Sequence, residues 1–402
     1  MNTKKLLQSG FIYTLGNLLV QGLAFITLPI YTRVISTEVY GQYSLYVAWM
    51  NIIMLFIGLQ TSGSLSSARV KYGEEFKSYS GSAFSVGNIW FLIILLIAFL
   101  FRSFLAPLVG FSESIFLLMV CQSYASYVVT FFGQYFIQQQ RSLANLILSL
   151  ANAVSSVALS LFLIFHWSDD FLSRVFGAFV PTIITGIVAF AYIYYHSKSF
   201  YNPKYFRFIV TVSVPLIFHL LGHQLLGQLD RIMLARLYNT KEVAMYSFGY
   251  SLGMIIQIIS LIIVSYFLVF LYTFPVNIQF FYANTTWIPI GTLLAAGVNW
   301  LLNLVLIPHY AAYGAAMATI ISYLALLIFH HIVSKVKYHY SDVSVRQYII
   351  LSGIVFSYAM LMNMFLDNIV IRWSLGIIIL IVYSIVFQKV ILDLLSKKRR
   401  RR

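Results

Sequence analysis

T-R-V-I-S-T-E-V-Y-G-Q-Y-S-L-Y (Thr32 to Tyr46) and A-R-L-Y-N-T-K-E-V-A-M-Y-S-F-G-Y (Ala235 to Tyr250) are two versions of one segment. Aligned without a gap, at an offset of 203 residues, Arg33, Thr37, Tyr43 and Ser44 fall on Arg236, Thr240, Tyr246 and Ser247. Each segment joins the end of one apolar run to the start of the next. A chain made of two related membrane halves is the usual plan of proteins that rock one half against the other around a central path.

The composition agrees. Of 402 residues, 60% are hydrophobic and only 9% charged, with a mean hydropathy of +0.86. Soluble domains carry about 25% charged residues, so the chain reads as an all-α polytopic membrane protein. Its aromatic residues, 29 Tyr and 34 Phe, suit interfacial belts and helix contacts. The single cysteine, Cys121, excludes an intrachain disulfide, and no Cys/His spacing calls for a metal. No cofactor is expected. Met1 to Gly10 carries only Lys4 and Lys5 as charges, and no small-residue cleavage site follows. That predicts a retained first helix rather than a signal peptide.

Apolar runs lie at about 10–35, 42–63, 82–102, 114–137, 143–166, 171–196, 208–235, 243–273, 286–307, 311–333, 347–366 and 371–395. A span needs about 20 such residues, so the reading is about twelve transmembrane helices. With the N-terminus in the cytoplasm, 19 of the 26 Lys and Arg fall on inside segments. The seven outside are Arg33, Arg102, Arg174, Arg231, Arg236, Lys241 and Arg372. This bias places both termini in the cytoplasm. The net charge of +15 therefore reflects topology, not nucleic-acid binding. The tail Lys397 to Arg402 anchors the last helix against anionic headgroups. The longest inside loops are 64–81, 197–207 and 334–346, and no soluble catalytic domain is present. The outside pair Asp169 and Asp170, with His166 nearby, reads as loop solvation.

The division is then an N-terminal bundle, 1–200, and a C-terminal bundle, 201–402. L-F-L-I-F-H (Leu161 to His166) matches L-V-L-I-P-H (Leu304 to His309) as a second anchor. From Arg33 to His166 is 133 residues, but from Arg236 to His309 only 73. The second bundle is thus shortened by about 60 residues between 243 and 287.

Leu28 to Tyr43 (L-P-I-Y-T-R-V-I-S-T-E-V-Y-G-Q-Y), Leu229 to Leu234 (L-D-R-I-M-L) and Leu306 to Tyr323 (L-I-P-H-Y-A-A-Y-G-A-A-M-A-T-I-I-S-Y), in that order, resemble the bacterial polysaccharide flippases of Wzx type. Those form the polysaccharide-transporter branch of the multidrug/oligosaccharidyl-lipid/polysaccharide exporter superfamily. The resemblance implies two helical bundles around a central cavity in the bacterial inner membrane. It implies an activity that is not enzymatic: moving an undecaprenyl-pyrophosphate-linked oligosaccharide between leaflets for O-antigen or another surface polysaccharide. The implied partners are that lipid-linked substrate, membrane lipids and the polysaccharide polymerase machinery. The shortened second half departs from the family's usual 12 or 14 spans.

Such a substrate needs a polar, cationic path, and arginine suits a pyrophosphate through its fork of donors. Ionisable groups within spans are costly and mark candidate sites. Arg33 ends the first span and Arg231 the seventh; for Arg33 the competing reading is snorkelling to the interface. Asp230 and Arg231 point about 100° apart on a helix, which favours structural pairing of Asp230 with another helix. His219 and His223 share a face of the seventh span, after Pro215 and beside Gly222 and Gly227. They line a cavity or gate, or bond to neighbouring helices; no carboxylate neighbour supports a metal. Asn17 and Gln21 share a face of the first span, and Asn299 and Asn303 one of the ninth. Each pair hydrates a sugar path or acts as glue between helices. Multidrug export of cations would call for acidic residues inside the first six spans, but Glu38 and Glu113 sit at boundaries. A degenerate, non-transporting relative is the remaining alternative.

Overall fold

Apolar runs of this length cannot leave backbone amides unpaired in lipid, so they close their hydrogen bonds internally as helices. A computed structural model describes residues 3–197, 199–264, 287–338 and 374, and no strand occurs among them. The helices are α1 (Thr3–Val34), α2 (Thr37–Ile57), α3 (Thr61–Tyr72), α4 (Phe76–Leu100), α5 (Arg102–Val109) and α6 (Glu113–Gln138), then α7 (Ser142–His166), α8 (Asp170–Ser197), α9 (Pro203–Leu237), α10 (Thr240–Val264) and α11 (Trp287–Tyr338). A single 3-10 turn, Gly73–Glu75, joins α3 to α4. Among the described residues, six helices, counting Thr61–Leu100 as one, are long and apolar enough to cross a membrane. The runs at 347–366 and 371–395, the end of the run at 243–273, and the basic tail lie outside the described residues.

The internal repeat reappears as matching backbone. α1 ends at Val34 and α9 at Leu237; α2 starts at Thr37 and α10 at Thr240. The corner residues correspond too. Ser36 Oγ accepts from the Val39 amide at 3.2 Å, and Asn239 Oδ1 accepts from the Glu242 amide at 2.9 Å. Both are N-caps that satisfy an amide left over by the first turn. The two equivalent helices, α2 and α10, pack on each other. Their approach is set by Gly41, where a Cβ would lie 1.9 Å from the Thr240 carbonyl oxygen.

Two elements differ from expectation, and a third agrees with it. Residues 64–81 form helix almost throughout, because α3 and α4 run on past the apolar stretch with Arg69 and Lys71 in the last turn of α3. The short helix α5 follows α4 on the opposite end of the bundle, and Arg102 at its start pairs with Glu113 at 2.9 Å. The runs 286–307 and 311–333 are two helices, as their separation in the sequence predicts, divided within α11 at Ala311 (φ 46°, ψ −127°) just past Pro308 and His309. A left-handed non-glycine residue costs about 1–3 kcal/mol. Here Glu242 Oε2, from the first turn of α10, accepts from the Ala312 amide at 3.3 Å, which caps the helix after the break.

Two apolar cores are the largest of the five among the described residues. One joins α3, α4, α6 and α8 around Phe76, Tyr79, Phe84, Phe131 and Tyr135. The other joins Leu45, Ala48 and Ile52 of α2 to Ile232, Met233 and Leu234 of α9, Val243 and Tyr246 of α10, and Ile307 and Ala315 of α11.

Candidate functional site

The C-terminal part of α9 carries adjacent groups of opposite charge that face different neighbours. Asp230 is fully buried. Its Oδ2 accepts from the Tyr246 hydroxyl at 2.5 Å and from the Thr319 hydroxyl at 2.5 Å. Its Oδ1 accepts from Asn303 Nδ2 at 2.6 Å. That same nitrogen also donates to Asn299 Oδ1 at 3.0 Å. A desolvated carboxylate is tolerated when donors replace its water, and here they come from α10 and from both segments of α11.

Arg231 is also buried. Its Nε donates to Ser247 Oγ at 3.0 Å, and one terminal nitrogen donates to the Gly227 carbonyl at 2.7 Å and to Gln228 Oε1 at 3.1 Å. The guanidinium lies 4.6 Å from the Tyr250 ring centre and 5.7 Å from that of Tyr246. Among the described residues, no ion pair engages Arg231 or Asp230.

A second cation has the same surroundings in the first half. Arg174 of α8 stacks on Tyr31 of α1 at 3.6 Å and on Tyr43 of α2 at 4.3 Å, and donates to Ser160 Oγ of α7 at 3.2 Å. Tyr43 is the repeat counterpart of Tyr246, so each guanidinium lies against the equivalent ring. Each half thus brings an arginine without a carboxylate partner among the described residues against tyrosine rings.

The other sequence candidates lie elsewhere. Arg33, Gln21 and His223 are exposed, and no hydrogen bond or ion pair engages them among the described residues. His219 and Asn17 lie on α9 and α1, one turn from His223 and Gln21, but their side chains fall outside the described residues. Arg236, the repeat partner of Arg33, is exposed and donates to the Leu108 carbonyl of α5. The structure brings Asp230 together with the candidates Asn303 and Asn299, while Arg231, next to Asp230 in sequence, has other partners. Among the described residues no three His, Cys, Asp or Glu side chains gather as a metal site.

Sequence reasoning passed over Arg174. It lies one turn inside the run 171–196, and Asp170, four residues earlier, is the partner that helical spacing offers. The structure turns the guanidinium toward the tyrosines instead. The tyrosine pairs in the repeated segments, Tyr40 with Tyr43 and Tyr246 with Tyr250, carry the signal that finds it.

These features define a multi-pass helical membrane protein with an internal repeat and a polar, cationic centre. The chain belongs to the polysaccharide biosynthesis protein family, whose pattern matches residues 6–282. Two proteins of Haemophilus influenzae are similar. An uncharacterized membrane protein is 23% identical over 273 residues, 64% of this chain and 63% of the relative. Lsg locus putative protein 1 is 25% identical over 277 residues, 63% of each chain. The chain thus spans about 63% of the length of these relatives. Among solved structures it is similar to lipid II flippase MurJ in an inward closed conformation. The TM-score is 0.66 at 14% identity, covering 95% of this chain and 100% of that one. At that identity the likeness is one of fold.

Proposed function

We propose that this protein is a flippase. It moves an undecaprenyl-pyrophosphate-linked oligosaccharide across the bacterial inner membrane by alternating access, for O-antigen or another surface polysaccharide. Both termini lie in the cytoplasm, and the polymerase machinery takes up the product. The observation that carries this reading is the pair Arg174 and Arg231, one from each half, each set against tyrosine rings and without a carboxylate partner among the described residues. A guanidinium without an acid partner keeps donors available for a phosphoryl oxygen, and the tyrosine rings beside it suit the apolar face of a sugar. Family membership supports a saccharide substrate, and the fold supports a route through the membrane.

Multidrug export gains no support at the first-half carboxylates, since Glu113 is exposed and already held by Arg102 and Ser103. The test is complementation of a flippase-null strain, reading surface polysaccharide on a gel. The chain is expected to restore polymer. Arg231→Lys and Arg174→Lys, which keep the charge but lose the fork, are expected to cut polymer at least tenfold with normal membrane insertion. Full polymer from both variants would remove the arginines from the substrate path.

A further inference from the structure

Between the spans α4 and α6 the chain makes one short helix, α5, R-S-F-L-A-P-L-V, of 8 residues. At about 1.5 Å per residue it is ~12 Å long, far short of the ~30 Å of a bilayer core. It does not cross the membrane, and its amino acids say where it lies instead.

Both ends of α5 are fixed by local bonds. Arg102 donates from Nε to Glu113 Oε2 at 2.9 Å and from a terminal nitrogen to the Phe99 carbonyl at 2.9 Å. Ser103 Oγ donates to Glu113 Oε1 at 2.6 Å. These bonds tie the first turn of α5 to the last turn of α4 and the first turn of α6. At the other end Gly110, at φ 79°, reverses the chain, and its amide closes on the Ala106 and Pro107 carbonyls at 3.1 and 3.2 Å. The left-handed conformation there is one that glycine adopts without steric cost. The Leu108 carbonyl accepts from Arg236 of α9.

A helix pinned in this way cannot roll, so its faces are defined. Ala106 and Val109 are buried, at 1% and 8% exposure. Phe101, Phe104 and Leu108 are open, at 56%, 68% and 43%. Their spacing of i, i+3 and i+7 puts the three on one helical face. Ser103, also exposed, points about 130° away from the middle of that face. The apolar surface does not begin with α5. Leu92, Leu96, Phe99 and Leu100 of α4 are exposed as well, and in a membrane span such side chains meet acyl chains. The open face of α5 extends that lipid-facing stripe around the end of the span.

We propose that α5 lies flat in the bilayer interface as an anchor of the first half, with Phe101, Phe104 and Leu108 sunk among the acyl chains. A short helix with large apolar side chains on one face and a polar edge is suited to that plane. Three neighbouring large apolar side chains are poorly placed in water, and the surface they continue already faces lipid. Arg102 and Glu113, both partly exposed, then stand at the level of the headgroups. On the orientation proposed above, the leaflet is the outer one.

The test is power saturation in continuous-wave electron spin resonance. It uses the full chain in phosphatidylcholine/phosphatidylglycerol nanodiscs with Cys121→Ser, the free cysteine being removed first. Single spin labels go on Phe104→Cys, Leu108→Cys and Ser103→Cys. Leu96→Cys on α4 is the lipid reference, and Ser168→Cys, exposed in the turn after α7, is the aqueous one. Oxygen concentrates in hydrocarbon, whereas a nickel chelate stays in water. Phe104 and Leu108 labels are expected to relax roughly threefold more strongly with oxygen than with the chelate, as at Leu96. The Ser103 label is expected to favour the chelate, as at Ser168. A preference for the chelate at Phe104 and Leu108 overturns the proposal, because α5 would then stand in water. Weak relaxation by both reagents at these two positions overturns it too, because a second copy or another protein would then cover the face. Oxygen preference at all three positions would show α5 sunk whole rather than lying flat, and is the third result against it. These labels report without substrate, so the outcome is independent of the flippase reading.

Discussion

Asp230 shows how a single buried charge is accommodated. Three donors surround it, and Tyr246 is the one that belongs to the repeated segment. A hydrogen bond to a charged group contributes about 1.5–3 kcal/mol, so Tyr246→Phe is expected to lower the thermal midpoint in detergent by several degrees. Asp230→Asn is expected to cost at least as much, because its amide would set N–H groups against the donors of Asn303 or the hydroxyls. An unchanged midpoint for both would mean that Asp230 is not held as the geometry shows. Hydropathy could mark Asp230 as costly but could not name its partners, which lie 73 and 89 residues away at Asn303 and Thr319.

At the scale of elements, the crossing of α2 and α10 is the tightest link between the repeats. Gly41 has no side chain to spare there, with the Thr240 carbonyl 1.9 Å from its would-be Cβ. Gly41→Leu is therefore expected to wedge the N-terminal ends of α2 and α10 apart. Ala48→Cys, fully buried in the seam below, serves as the reporter in a Cys121→Ser background. It is expected to be inert to a membrane-impermeant maleimide in the parent and to react in the Gly41→Leu variant. Equal reactivity in both would show that this crossing does not seal the path. The sequence placed Gly41 opposite Ala244 in the repeat alignment, but nothing in the alignment says that the two helices touch.

The whole molecule carries the orientation argument. Arg69 and Lys71, with Lys204 paired to Glu75, lie at one end of the bundle, and the corners at Ser36 and Asn239 at the other. On the proposed orientation, the positive-inside pattern predicts that the first end faces the cytoplasm. Alkaline phosphatase needs an oxidising compartment to form its disulfides. Fused after Trp167 it is expected to be active, and fused after Tyr201 inactive. The reverse pattern would invert the molecule and with it the proposed direction of transport.

The helical class and the repeat with its corners were legible in the sequence, because apolar length and capping residues are local properties. Even the cap at Asn239 follows from its match to Ser36. The run past residue 64 as helix and the surroundings of Arg174 were not legible. In a membrane helix the faces toward lipid and toward neighbouring helices are both apolar, so hydropathy carries little record of which way a helix is turned. Only the packing of α1, α2, α7 and α8 turns Arg174 away from Asp170 and onto Tyr31 and Tyr43. Only the packing of α9 on α10 and α11 sends Asp230 and Arg231, neighbours in sequence, to different partners.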